Sequence, residues 1–259
     1  MPTAAVSNLA ECADSLLALL GDLSDGEWEA QSLCPEWRVR DVVSHLGGIE
    51  SALLGWRPEG ERPAPFELVE PWMRAAREWS HAALLARFAA VLAERREELG
   101  SMEEADFAAT SWTPVGIQTY GGFMAIRVFD FWVHEQDIRV PLDRPGHQGG
   151  PAAEMALDQV RSSFGYIVGK RAGVPDGRAV TIDLTGPVTA RLSAIVEGRA
   201  RVVDHLEHPD AVLTTDFLTF MLLACGRVDP TEILQRGLVR CEGDPALADQ
   251  LARGLRFTM

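Results

Sequence analysis

Four ionisable residues, Arg127, Asp130, His134 and Asp137, recur at 3-4-3 spacing within Phe123 to Val140, where the other positions are mostly Phe, Met, Ile, Val, Trp and Ala. At about 100° per residue, this spacing holds all four within an arc of roughly 80° on one helix. A surface helix shows the reverse pattern, a broad polar side with a narrow apolar seam. Here the polar stripe is the minority face, which predicts a largely buried helix. Unpaired charge in a core is costly, so the stripe needs partners: its own members, ordered water or a metal ion. That requirement makes it a candidate site.

A chain of 259 residues, 47% hydrophobic and 24% charged, is long enough for one large domain or two medium ones. Its formal charge of −14 argues against nonspecific nucleic-acid or anionic-membrane binding, leaving small molecules as the expected partners. Cys12, Cys34, Cys225 and Cys241 form no Cys-x-x-Cys pair, so neither a disulfide framework nor a zinc ribbon is expected, and a reducing cytoplasm fits best. The N-terminus lacks a signal-like progression, and the apolar stretch Phe217 to Cys225 is too short to span a bilayer.

Apolar periodicity predicts a helix over Leu9 to Leu20, a capping box at Ser24-Asp25-Gly26-Glu27, and a second helix from Val39 to Leu54 that carries His45. Pro71 to Leu99 reads as one long third helix, and the striped segment, preceded by Gly121-Gly122 and ended by Pro141, as the fourth. The Gly- and Pro-rich stretch Arg144 to Pro151 is the expected linker. Beyond it a helix over Ala152 to Lys170 leads to expected strands at Ala179 to Leu184, Val188 to Val196, Arg199 to Val203, Ala211 to Thr214 and Leu238 to Cys241. Helices are expected at Phe217 to Cys225 and Pro245 to Leu255. The expected class is α+β: a four-helix bundle over residues 1–145 followed by a smaller α/β domain over 151–259.

Asp130 and His134, four apart, can converge on one ion, or form only an intrahelical ion pair. His45, flanked by Val42, Val43, Leu46 and Ile49, is the natural third ligand, or else a satisfied core histidine. Two histidines and a carboxylate from facing helices leave coordination positions open for water or substrate. The same set suits mononuclear Fe(II), although such sites usually sit on β-barrels. Asp137 and Asp41 are candidates for fixing the imidazole tautomers. Arg127 either neutralises the carboxylates or grips an anionic ligand in a bidentate fork. Cys34 reads as a buried thiol without a basic partner, His81 and His147 as surface residues, and His205-Leu206-Glu207-His208 as a polar loop.

Trp28, the run Ser32-Leu33-Cys34-Pro35-Glu36-Trp37-Arg38-Val39-Arg40-Asp41-Val42-Val43-Ser44-His45-Leu46, and the later Asp130-Phe-Trp-Val-His134-Glu-Gln-Asp137-Ile-Arg139 together resemble the mycothiol-dependent maleylpyruvate isomerase family of the DinB-like superfamily. The resemblance covers most of the chain. It implies an N-terminal four-helix bundle holding a divalent metal, usually zinc, and a C-terminal domain akin to sterol-carrier folds. Carried over residue by residue, it implies His45, Asp130 and His134 as the metal ligands. Asp130 stands where the family commonly has Glu, one methylene longer. The resemblance also implies a catalytic arginine from the C-terminal domain, for which Arg227 is the candidate and Arg199 or Arg201 the alternatives, while Arg127 is the candidate contact for cofactor or anionic substrate. The implied cofactor is mycothiol. A thiol with a pKa of about 8.5 is mostly protonated at neutral pH, and a divalent cation would favour its thiolate. The implied chemistry is cis–trans isomerisation by thiolate addition, bond rotation and elimination, or simple S-transfer. The alternative class is a non-catalytic module that holds a metal and an apolar ligand.

Overall fold

A computed structural model of the protein describes residues 3–258, and the chain divides into two compact units, Met1–His147 and Gln148–Met259. The first is built from α1 (Ala4–Gly21), a single turn α2 (Asp25–Trp28), α3 (Val39–Leu53), α4 (Val69–Ala76), α5 (His81–Gly100), α6 (Glu104–Ala108), a hairpin of β1 (Thr110–Thr113) and β2 (Gly116–Thr119), and α7 (Tyr120–Arg139). Four of these close a ring: α1 packs on α7, α7 on α3, α3 on α5, and α5 back on α1. Leu16, Val42, Val43, Leu46, Phe88, Phe123, Val128 and Phe131 fill the ring and are buried.

Local chemistry sets the helix ends. Thr3, Ser24, Ser80 and Thr119 each accept a backbone N–H in the first turn of α1, α2, α5 and α7, and Ser24 with Glu27 completes the expected capping box. The single third helix expected over Pro71 to Leu99 is instead two. Ser80 accepts from the Ala83 amide and starts α5 afresh, which ends α4 at Ala76. The β1–β2 hairpin was not expected. The striped helix begins at Tyr120, so Gly121 and Gly122 lie within its first turn. Among the described residues, α1 alone is long and apolar enough by composition to reach across a bilayer, but half of it is buried, and it packs on α5 and α7.

The second unit holds α8 (Pro151–Ser162), α9 (Phe164–Tyr166) running into a π-turn at Ile167–Arg171, strands β3 (Ala179–Thr185), β4 (Ala190–Glu197), β5 (Arg199–Val203) and β6 (Ala211–Asp216), α10 (Phe217–Ala224), α11 (Pro230–Gln235), β7 (Val239–Gly243) and α12 (Pro245–Arg253). The sheet order is β5-β4-β3-β6-β7, antiparallel except for the parallel β3–β6 pair. The class is α+β, with the five strands where alternation in the sequence puts them, displaced by a residue or two at the ends. Buried Thr181 and Ser193 face one another in register and share a 3.0 Å hydrogen bond, so the sheet core holds a satisfied polar pair.

Candidate metal centre

α7 carries the stripe through the middle of the first unit, with Phe131 to Ile138 buried without interruption. His45 projects from α3, and the two helices bring it to Asp130 and His134. His45 Nε2 lies 3.9 Å from Asp130 Oδ2, and His134 Nε2 lies 3.5 Å from Asp130 Oδ1. Each of the three residues offers a donor atom within 4.8 Å of the other two. The edges of a tetrahedral zinc site with bonds near 2.1 Å are roughly 3.4 Å long, so the set closes on one ion with small side-chain adjustment.

Asp137 is fully buried and accepts the Nδ1–H of His134 at 2.8 Å, so that when the ring gives up its other proton the lone pair falls on Nε2, facing His45 and Asp130. This is the tautomer a metal ligand needs. Asp41 plays no such part for His45, because its Oδ2 accepts the Arg38 backbone N–H at 3.0 Å and caps α3. Trp37 walls the site, its ring 4.8 Å from that of His45 and 5.8 Å from that of His134.

Burial pushes His45 down to about 4, against the pull of Asp130, so at neutral pH this imidazole is uncharged and its lone pair is free. For Asp130 burial acts upward, but the Arg127 guanidinium and the two imidazoles outweigh it and hold the carboxyl below the usual range. Burial opposes charge on His134 too, yet Asp130 and Asp137 raise it to about 10 in the metal-free chain. A cation entering here displaces a proton.

Arg127 is engaged by two carboxylates. It is 3% exposed, its Nε donates to Glu50 Oε1 at 2.8 Å and its Nη1 to Asp130 Oδ2 at 2.6 Å. Of the two roles open to it in the sequence, the ion pair is the one the structure displays, while its buried Nη2 has no partner. Cys34 is buried as expected but stands beside the site, with Sγ 3.2 Å from Asp137 Oδ2 and 3.9 Å from His134 Nδ1. His81 and His147, expected on the surface, are only partly exposed and both are paired. His81 stacks on Trp28 and pairs with Asp25 and Glu29, and His147 Nδ1 lies 2.7 Å from the buried Glu135 Oε2. His205 to His208 form a loop.

Arg227 belongs to the second unit. There it donates from Nη1 to the Cys225 carbonyl at 3.1 Å and lines a cavity of about 450 Å³ together with Arg171, Arg253 and Arg256. Arg199 and Arg201 are exposed on β5, with Arg201 paired to Glu197.

The family model for the mycothiol maleylpyruvate isomerase N-terminal domain matches residues 9–139, and that for the MDMPI C-terminal domain matches residues 154–250. The chain belongs to this family. No curated protein sequence matches it. Among solved structures it is similar to the mycothiol-dependent maleylpyruvate isomerase, at 16% identity over 86% of this chain and 88% of that one with a TM-score of 0.60. It is likewise similar to a histidine-to-alanine mutant of the mycothiol-dependent maleylpyruvate isomerase, at 15% identity over 92% and 91% of the two chains, again with a TM-score of 0.60. At these identities the likeness is one of fold.

Proposed function

We propose that this chain is a divalent-metal-dependent enzyme that uses mycothiol to isomerise, or to transfer sulfur to, a small anionic electrophile such as maleylpyruvate, with zinc as the metal. The family supports the thiol and the reaction class. The observation that carries the metal is the convergence of His45 Nε2, Asp130 and His134 Nε2, with His134 Nδ1 already committed to Asp137. Two imidazoles and one carboxylate suit zinc and leave a position open. A cation held there would supply the positive charge that keeps a small thiol in its nucleophilic thiolate form at neutral pH.

The chain's own residues do the rest. Asp137 holds the His134 ring in orientation and tautomer, Arg127 fixes Asp130 Oδ2, and burial keeps His45 neutral. Trp37 limits water at the two rings.

The test is metal content after zinc loading and dialysis, followed by mycothiol-dependent turnover of maleylpyruvate. Wild type should retain about one ion per chain and His134→Ala none, with turnover lost in parallel. Equal metal content in the two proteins would overturn the site. Metal without thiol-dependent turnover would overturn the catalytic reading in favour of a binding module.

A further inference from the structure

Glu50 lies on α3, the helix of His45, and is 1% exposed. Its two oxygens hold two buried arginines from different helices: Oε1 accepts from Arg127 Nε on α7 at 2.8 Å, and Oε2 from Arg95 Nε on α5 at 3.1 Å. Arg127 then passes its Nη1 to Asp130 Oδ2 at 2.6 Å, while its buried Nη2 has no partner. On the other side Arg95 pairs with Glu98, and Glu98 with Arg57. Asp130, Arg127, Glu50, Arg95, Glu98 and Arg57 thus form a row of alternating sign that starts at the donor set.

We propose that Glu50 is a positioning residue of the metal centre: by gripping Arg127 it fixes Asp130 and ties the helix of the first ligand to the helix of the other two. The inference rests on the metal reading above. Two carboxylates share Arg127, so Asp130 neutralises only part of that guanidinium and keeps negative charge for a cation. With Glu50 neutral, Arg127 has Asp130 as its only carboxylate partner, and its charge bears on the site and opposes a second cation. The tether from α3 to α7 weakens at the same stroke, and the fit of His45 to the other two donors loosens. A role confined to core stability makes a different prediction: removing the charge would lower stability and leave the affinity of the folded chain for metal intact.

The experiment measures zinc affinity by competition with a chromophoric chelator, alongside urea unfolding of the metal-free proteins, for wild type, Glu50→Gln and Glu98→Gln. Glu50→Gln should bind zinc about 10–100-fold more weakly, the usual effect of removing a group that orients a ligand. Glu98→Gln, which touches Arg95 but not Arg127, should leave the affinity unchanged whatever it does to stability. Unchanged affinity in Glu50→Gln, or an equal loss in both variants, overturns the proposal. If Glu50→Gln gives no folded protein, Arg127→Lys is read in its place: a single ammonium lacks the rigid pair of Nε and Nη1 donors that holds Glu50 and Asp130 at fixed separation, so the same loss is expected and an unchanged affinity overturns it. A wild type that holds no zinc would instead sink the metal reading itself.

Discussion

Replacing Asp137 with Asn changes one charge at a fully buried position and almost nothing in shape. The carboxylate takes the His134 Nδ1–H at 2.8 Å, and its Oδ2 also lies 3.2 Å from Cys34 Sγ. If the amide oxygen takes the carboxylate's place, a charge-assisted bond becomes a neutral one, a difference of about 1–1.5 kcal/mol, or roughly tenfold in metal affinity. If the amide NH₂ turns toward the ring instead, Nδ1 must accept, the proton moves to Nε2, and the ligand lone pair is lost. The cost then approaches about 2.7 kcal/mol, near the hundredfold limit for such partners. The expected outcome is therefore zinc affinity about 10–100-fold weaker in Asp137→Asn, read by chelator competition, with the far-ultraviolet circular dichroism of wild type retained. A variant that binds zinc as tightly as wild type would refute the claim that this carboxylate sets the tautomer.

Gly243 closes β7 with φ +82°, and a Cβ there would stand 2.2 Å from the Asp210 carbonyl oxygen, which also accepts the Asp244 amide. Gly243→Ala should cost at least about 2 kcal/mol in urea unfolding, whereas Gly26→Ala, with open space around it, should be close to neutral. The His147–Glu135 hydrogen bond, helped by Coulomb attraction, raises the histidine above its ordinary value against the opposing effect of burial. A raised folded-state pKa means the pair stabilises fully below about pH 6.5 and loses that contribution as pH climbs through the raised value. The stability gap between wild type and His147→Gln should therefore be widest near pH 6 and close as pH rises; a gap that widens with pH would refute the assignment.

The donor set was legible because the sequence isolates it: Asp130 and His134 stand out against Phe131, Trp132 and Val133, and His45 against Val42, Val43 and Leu46. Glu50 is as isolated in sequence, among Gly47, Ile49, Ala52 and Leu53, but its partners Arg95 and Arg127 lie on other helices and no spacing announces them. Arg95 left none. It adjoins Arg96 in a stretch rich in charge, and only the packing of α3 and α7 decides that Arg95 is buried while Arg96 reaches solvent to pair with Asp14. Glu135 shows the limit of reading one stripe. Because α7 is covered along Phe131 to Ile138, a second polar face is buried behind the first, and Glu135 is satisfied there by Arg139 one turn on, by His147 and by the distant Ser15. The break between α4 and α5 was a matter of capping: Ser80 could be seen as a start signal, but uninterrupted helix-forming residues on either side hid it.

The alternating row from Asp130 to Arg57 also decides how the surroundings reach the site. Its outer end is wet, since the Arg57 side chain is half exposed, and dissolved ions screen its charge over a distance of about 8–10 Å at ordinary ionic strength. Its inner members, Glu50, Arg95 and Arg127, are almost wholly buried and meet only the charges of the row itself. Ionic strength can therefore loosen the last link of the row while the first stays as it is, so the bundle's charged interior works as an insulated conductor, grounded at the surface and shielded along its length.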